Sequence, residues 1–348
     1  MSNINQTALI AYHTDCLDGF TSAWIVCRAL ERKGYKCDLI KMDYTPKHLD
    51  ELFDELIRYP YEALYIVDYS VPTTFLQDIQ CLENNPATTI LDHHKTAFEM
   101  YCPDIPVTPK SYLNTKIHGA VVILDNSHSG AGLCWEYFTG RCVNENKLVT
   151  YVEDWDLWRF DLGENTKYIH HFLLEKVKTL VNWDILDEAM REESSLFAML
   201  KVGAMNKEAH DDEVNDIACY AVNVIIEGEY GLAVECPRKL VSDVGHTLAK
   251  KCGTYGAMYT IDLEENLVYW SFRSVKEEDS YDVEVLAKKL GGGGHKNAAR
   301  TTVSFLPVAP VVDLLKLFSK EEKKLFDLKD EVVEEYVDDL IGDREIDA

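Results

Sequence analysis

The chain is short of basic residues and of long apolar runs. Its 348 residues include 35 Lys and Arg against 60 Asp and Glu, for a net charge of −25 at pH 7. This balance argues against a broad basic face for long DNA or RNA, and any anionic ligand would need a locally positive site. No apolar run approaches the ~18 residues of a membrane-spanning helix. The first residues lack the basic flank of a signal peptide, so we expect no membrane partner.

Paired cysteine motifs are also missing. The ten cysteines form no C-x-x-C pair, and several lie inside apolar segments such as 25–27. This pattern is typical of reduced, buried thiols, and it predicts a cytoplasmic protein.

The first half of the chain repeats a short apolar run that ends in a polar residue and is followed by an amphipathic stretch. The runs are 8–12, 37–40, 63–67, 88–91 and 120–124. Strands that alternate with helices predict a doubly wound parallel α/β sheet. Because ligands bind at the carboxyl ends of such strands, the residues after each run are the candidates for a site.

The pattern changes after about residue 215, where shorter β-like runs, one helical stretch and four glycines predict a smaller mixed α/β domain. We expect a catalytic domain at 1–185, a linker helix at 186–205, a C-terminal domain at 206–310 and an acidic helical tail at 311–348. An apolar stripe along the tail predicts a helix that docks on its own chain, with a homodimer contact as the alternative.

Acidic and histidine side chains follow three of the predicted strands. They are His13-Thr14-Asp15-Cys16-Leu17-Asp18-Gly19, then Asp68, then Asp92-His93-His94. Imidazoles and carboxylates together suit Mn²⁺, Mg²⁺ or Zn²⁺. The adjacent histidines point in different directions, one toward a metal and one toward a substrate, and Asp92 can orient a neighbouring imidazole. For the first motif, a helix-capping Asp18 beside a hydrogen-bonded His13 is the alternative.

These motifs, in this order, resemble the DHH phosphoesterase superfamily, which includes RecJ-type exonucleases, oligoribonucleases, cyclic-dinucleotide phosphodiesterases and manganese pyrophosphatases. The family's fourth motif matches Asp154 within 152–158, and the second half is similar to the DHH-associated C-terminal domain at 271–274 and 291–299. Two features depart from the family. Its first-motif carboxylates are often spaced Asp-x-Asp, and it usually has a small residue where Arg300 stands.

The resemblance implies a two-metal phosphodiesterase, most often with Mn²⁺ and with Mg²⁺ or Co²⁺ as alternatives. One cation would be held by His13, Asp15 and Asp68, and the other by Asp18, Asp68, His93 and Asp154. His94 would be the catalytic group at the phosphate or leaving oxygen, with Asp92 beside it.

The resemblance also implies a substrate site. Its residues would be Arg273, Gly292, Gly293, Gly294 and His295, and the substrate would lie in the cleft between the two domains. We expect short oligonucleotides or small nucleotides, linear or cyclic, to be hydrolysed to 5′-mononucleotides, and no long duplex to bind. The alternatives are a phosphomonoesterase acting on 3′-phosphoadenosine 5′-phosphate, a pyrophosphatase, and a nucleotide-binding protein without catalysis.

Overall fold

A computed structural model of the chain describes residues 6–14, 16–108, 110–263, 265–275 and 280–304. Two predicted features, the ligand Asp15 and the tail at 311–348, lie outside the described residues. The chain forms two compact units that divide between His210 and Asp211. In the parts that the structure describes, no helix is both long enough and apolar enough to cross a membrane.

The first unit begins with alternating strands and helices and continues into a helical region. Its elements are β1 (Gln6–His13), α1 (Leu17–Glu31), β2 (Tyr35–Met42), α2 (Pro46–Arg58), β3 (Ala63–Val67), α3 (Thr73–Gln80), β4 (Ala87–Asp92), α4 (Lys95–Tyr101), β5 (Tyr112–Ile117), β6 (Ala120–Asp125), α5 (Gly130–Thr139), α6 (Lys147–Asp156), α7 (Glu164–Leu174), α8 (Leu180–Arg191) and α9 (Glu193–Cys219). The last helix continues past the division into the second unit.

The strands of the first unit form one sheet in the order β2-β1-β3-β4-β6-β5. Every neighbouring pair is parallel except β5 with β6 at the edge. The predicted doubly wound parallel sheet is therefore confirmed, and each predicted run forms a strand. The edge strand β5 was not predicted, because it carries no continuous apolar run.

Both faces of this sheet are covered, because successive side chains of a buried strand point to opposite sides. On β1, Ile10 packs into a core shared with α1, α5 and α6, whereas its neighbour Leu9 packs into a second core with α2, α3 and α4. The strand order reverses between β1 and β3. Their carboxyl ends therefore border the crevice in which doubly wound sheets bind ligands.

The described part of the second unit contains a mixed sheet and two further α-helices. Its elements are β7 (Val222–Ile226), β8 (Glu229–Glu235), α10 (Val241–Cys252), β9 (Tyr255–Asp262), β10 (Leu267–Arg273), α11 (Val283–Lys289), β11 (Gly293–His295) and β12 (Ala298–Ser304). The sheet order is β11-β12-β10-β9-β8-β7, with only β8 and β9 parallel. The predicted mixed α/β character is confirmed, and part of the glycine run forms β11.

Candidate metal centre

Three of the predicted residues meet at one edge of the first sheet. His13 ends β1, Asp68 follows β3 directly and Asp92 ends β4. The parallel register of these adjacent strands brings the three positions side by side. They therefore lie at the carboxyl ends that border the crevice.

Asp68 occupies the middle of this group. Its side chain is 1% exposed, and its backbone has a φ of 53°, a left-handed conformation that aspartate tolerates better than most residues. Its Oδ1 lies 3.1 Å from Nε2 of His93, and its Oδ2 lies 3.6 Å from Nδ1 of His13. Although burial raises the pKa of Asp68, the two imidazoles hold it well below its usual value. Asp68 is therefore an ionised carboxylate that borders two histidines.

Both carboxylate oxygens of Asp92 accept hydrogen bonds from nearby residues. Its Oδ1 accepts from the backbone N–H of His93 at 2.7 Å and contacts Nδ1 of His94 at 2.7 Å. Its Oδ2 accepts from the Ser70 hydroxyl at 2.6 Å. The contact at Nδ1 fixes the ring of His94, so a ligand can bind at the other ring nitrogen, Nε2. We interpret Asp92 as a residue that positions His94.

Asp18 joins the group from the first turn of α1. Its Oδ1 accepts hydrogen bonds from the Ser129 hydroxyl at 2.6 Å and the N–H of Ala131 at 3.0 Å, and its Oδ2 accepts from the N–H of Gly130 at 2.7 Å. These donors belong to the N-terminus of α5, which favours a negative charge. Asp18 Oδ2 also lies 3.9 Å from Nε2 of His93. One buried carboxylate thus connects α5 to the strand ends.

The fourth motif contributes a different carboxylate from the one expected. The Asp154 carboxylate is taken up by other hydrogen bonds, because its oxygens accept from the N–H of Asp161 at 2.9 Å and of Leu162 at 3.2 Å and from the Thr166 hydroxyl. Asp156, at the end of α6, has Oδ2 at 3.5 Å from Nε2 of His93. Asp156 is therefore the residue of this motif that faces the histidines.

Three sets of side chains in the described part of the chain are close enough to bind a cation. Within each set, one ligand atom from every residue lies within 4.8 Å of the others. The sets are Asp68, Asp92, His93 and His94; His13, Cys16 and Asp68; and Asp18, His93 and Asp156. Asp68 and His93 each belong to two sets. The residues present therefore fit a divalent-cation centre of nitrogen and oxygen donors.

The electrostatics of the metal-free chain also favour a cation. Burial raises the pKa of Asp18, which Asp156 and Asp68 raise further, and burial raises the pKa of Asp156. Burial lowers the pKa of His93, but hydrogen bonding to Asp68 and the nearby carboxylates raise it to about 10. Protons on the imidazoles thus compensate the carboxylates when no cation is bound. A bound cation would take over that role.

The second unit groups most of its predicted substrate residues on one face of its sheet. Arg273 pairs with Ala298 on the neighbouring strand, and Ala298 pairs with His295 on the next. Arg300 lies diagonally from Arg273, because it pairs with Ser271. Burial lowers the pKa of Arg273, and the Arg300 guanidinium lowers it further.

Glycine leaves open space beside this arginine pair. Gly293 pairs with Arg300, and a Cβ added at Gly293 would meet no atom within 4 Å. By contrast, a Cβ at Gly294 would lie 2.5 Å from Cα of Ala299, and one at Gly292 would lie 2.6 Å from Cβ of Thr301. Gly292 and Gly294 thus allow close strand packing, whereas Gly293 leaves local space beside its paired residue Arg300.

The chain is similar to several known proteins. Uncharacterized protein R106 of Acanthamoeba polyphaga mimivirus is 27% identical over 346 residues, covering 94% of this chain and 76% of that protein. The structure of exonuclease RecJ bound to manganese is 14% identical, with a TM-score of 0.48 over 90% of this chain and 91% of that chain. The pGpG-specific phosphodiesterase PggH from Vibrio cholerae is 13% identical, with a TM-score of 0.47 over 89% of this chain and 97% of that chain. No protein-family profile matches the chain.

Several residues of the centre were not among the candidates from sequence. Ser129 and Gly130 lie outside the sequence motifs, and their contact with Asp18 spans more than 100 positions of sequence. Asp156 lies two residues after the expected Asp154. It is the last residue of α6, and it is the one that faces His93. Cys16 lies inside the first motif, where its sulfur was read as a buried thiol.

Proposed function

We propose that the chain is a DHH-type, metal-dependent phosphoesterase that hydrolyses short oligonucleotides or small nucleotides to 5′-mononucleotides. The proposal rests on the position of Asp68, a buried carboxylate. His13 lies beside one of its oxygens, and His93 lies beside the other. The motifs that resemble the DHH family occur in the family's order, and four of them contribute to this one group of side chains.

In this proposal, His13 and Asp68 hold one divalent cation, and Asp18, Asp68, His93 and Asp156 hold a second. Mn²⁺ is the expected metal, with Mg²⁺ or Co²⁺ as alternatives. Bound cations would neutralise the phosphate and lower the pKa of an attacking water. The protein itself fixes the ligands, since α5 holds Asp18 by three hydrogen bonds.

His94 is the proposed proton donor. Its side chain is 31% exposed, and its contact with Asp92 at Nδ1 leaves Nε2 directed to a ligand. Burial lowers the pKa of His94, but Asp92 and Asp68 raise it to about 9. An imidazolium in this position can donate a hydrogen bond to a phosphate oxygen or protonate the leaving oxygen.

Arg273, Arg300, His295 and the glycine run are proposed to bind a phosphate of the substrate. Arg300 lowers the pKa of Arg273, so a bound anion would stabilise the charge of the Arg273 guanidinium. Open space at Gly293 would let the anion approach the backbone.

An aromatic ring beside His13 favours a nucleotide over inorganic pyrophosphate. Tyr44 is 62% exposed, although it packs 5.0 Å from the ring of Tyr69 and 5.7 Å from the ring of His13. Exposed aromatic faces stack with bases without sequence preference. We propose that Tyr44 receives a nucleobase of the substrate.

The proposal is tested by product analysis of the Mn²⁺-loaded protein. Labelled dinucleotides to 24-mers, cyclic dinucleotides, 3′-phosphoadenosine 5′-phosphate and pyrophosphate are incubated separately. Release of 5′-mononucleotides, fastest from the shortest chains, is the expected result. Phosphate released only from pyrophosphate or from the 3′-phosphorylated nucleotide would replace the proposal with that phosphatase activity.

Matched variants connect the activity to the site. Asp68→Asn keeps the shape of the side chain but removes its charge, and we expect it to abolish turnover. Asp54→Asn, at an exposed position of α2, is the control and should behave like the unaltered protein. If Asp68→Asn hydrolysed dinucleotides at the full rate, the proposed centre would be wrong. Nucleotide binding without hydrolysis in the unaltered protein would indicate a binding protein.

A further inference from the structure

Cys16 lies among the residues of the proposed metal centre. It is the N-cap residue of α1, but its side chain makes no capping hydrogen bond. Its Sγ, one ring nitrogen of His13 and one carboxylate oxygen of Asp68 lie within 4.8 Å of one another. The thiol therefore faces two residues that are expected to bind a cation.

The two residues beside this sulfur each have a buried side-chain atom without a hydrogen-bond partner. In the described part of the chain, three buried side-chain atoms lack a partner, and two of them are Nδ1 of His13 and Oδ2 of Asp68. Asp68 is almost fully buried, and its Oδ2 lies 3.6 Å from that Nδ1. Buried polar atoms are normally satisfied, so two such atoms around one thiol indicate a missing ligand. A cation is the ligand that accepts electron pairs from nitrogen, oxygen and sulfur together.

We propose that Cys16 binds a divalent cation through its sulfur, together with His13 and Asp68. This inference rests on the proposed metal centre and concerns the identity of one of its ligands. The Cys16 S–H bond breaks as the S–metal bond forms, and the proton passes to the solvent. A thiolate ligand makes this position prefer Zn²⁺, Co²⁺ or Cd²⁺ over Mg²⁺ and Mn²⁺.

Without a cation the thiol has little reason to ionise. Burial raises the pKa of Cys16, and the carboxylates of Asp68 and Asp156 raise it further. Cys16 in the metal-free chain is therefore a protonated thiol rather than a nucleophile. A metal ligand remains the role that its position supports.

Cobalt provides a direct measurement, because Co²⁺ bound to a thiolate absorbs in the near ultraviolet by charge transfer from sulfur. Metal-free protein is titrated with Co²⁺, and the band is expected to rise to saturation in the unaltered chain. Cys16→Ser should abolish the band, whereas Cys81→Ser, at an exposed position, should keep it. A missing band in the unaltered protein, or a band that persists in Cys16→Ser, would overturn the inference.

Metal preference provides a second measurement. Competition with a chromophoric chelator gives the dissociation constants of Zn²⁺ and Mn²⁺. Cys16→Ser is expected to weaken Zn²⁺ binding by about 10-fold or more relative to Mn²⁺. An unchanged ratio in a variant with the circular dichroism of the unaltered protein would contradict sulfur ligation.

The outcomes separate this inference from the proposed function. If the unaltered protein bound Mn²⁺ and hydrolysed nucleotides but gave no sulfur-to-cobalt band, only the role of Cys16 would be wrong. If no divalent cation bound at all in calorimetry, the proposed metal centre itself would fail.

Discussion

At the scale of single residues, the centre depends on how neighbouring groups fix each other's charge and direction. Asp68 carries a charge because two histidines border it, and His94 is oriented because Asp92 contacts its Nδ1. The motif Asp92-His93-His94 predicted that Asp92 orients a neighbouring imidazole, and the resemblance to the DHH family implied that Asp68 lies with His13 and His93. They did not predict the proposed role of Cys16 as a ligand, because the spacing of the motif does not show whether its sulfur or the carboxylates on either side bind a cation.

Asp92→Asn tests the positioning of His94. The variant keeps the volume but weakens the contact at 2.7 Å, so we expect activity to fall by about 10- to 100-fold. Because the Asp92 charge raises the pKa of His94, the basic limb of the pH–rate profile should move toward lower pH. Steady-state kinetics across pH measure both effects, and Asp54→Asn is again the control. A fall in rate with an unmoved basic limb would assign Asp92 a purely structural role.

Metal affinity should depend on pH in a defined direction. The pKa of His93 is raised to about 10, so its imidazole holds a proton that a cation must displace. Affinity should therefore rise with pH below about 10, by up to about tenfold per pH unit for each proton released. Calorimetry between pH 6 and 8.5, in buffers of different ionisation enthalpy, counts these protons. Affinity that is constant over this range would contradict the charge state that we assign to His93.

At the scale of elements, the fold was predictable where the local pattern was strong. The central parallel strands are apolar runs buried on both faces, and all of them were predicted. The edge strand β5 carries no continuous apolar run, and β11 consists of two glycines and His295, so neither gives a strong local signal. The approach of α5 to Asp18 joins distant segments, and it depends on packing that no local pattern encodes.

Gly130→Ala tests that approach. A Cβ at this position would lie 2.7 Å from Cβ of Asp68 and 2.9 Å from Oδ2 of Asp18, so α5 or a ligand must shift. We expect the free energy of unfolding to fall by about 1–3 kcal/mol and metal binding to weaken. Urea unfolding of the metal-free protein and metal titration give the two quantities. If Gly130→Ala matched the unaltered protein in both stability and metal affinity, α5 could move away without disturbing the centre, and the prediction would be wrong.

At the scale of the whole molecule, the net charge of −25 opposes anionic ligands, so a cationic site has to be local. Arg273 and Arg300 form such a site on the second sheet. In the sequence, Arg300 is only a departure from the family pattern. Its position beside Arg273 follows from the strand register, which the sequence does not give.

Arg300→Ala should separate substrate binding from chemistry. Losing one charge-assisted contact is expected to raise KM by about 10-fold or more, with metal affinity unchanged and kcat changed little. Lys250→Ala, at an exposed position of α10, removes the same charge elsewhere and serves as the control. Equal changes in the two variants would mean that only the overall charge matters.

The helix α9 has a practical consequence for separating the two units. The units divide between His210 and Asp211, yet these residues lie inside one helix that runs from Glu193 to Cys219. A protein cut at this division would end in helical carbonyls without partners, and the other piece would begin with helical N–H groups in the same condition. Fragments for separate expression should therefore keep α9 whole, so that the second unit starts before Glu193 or the first unit ends after Cys219.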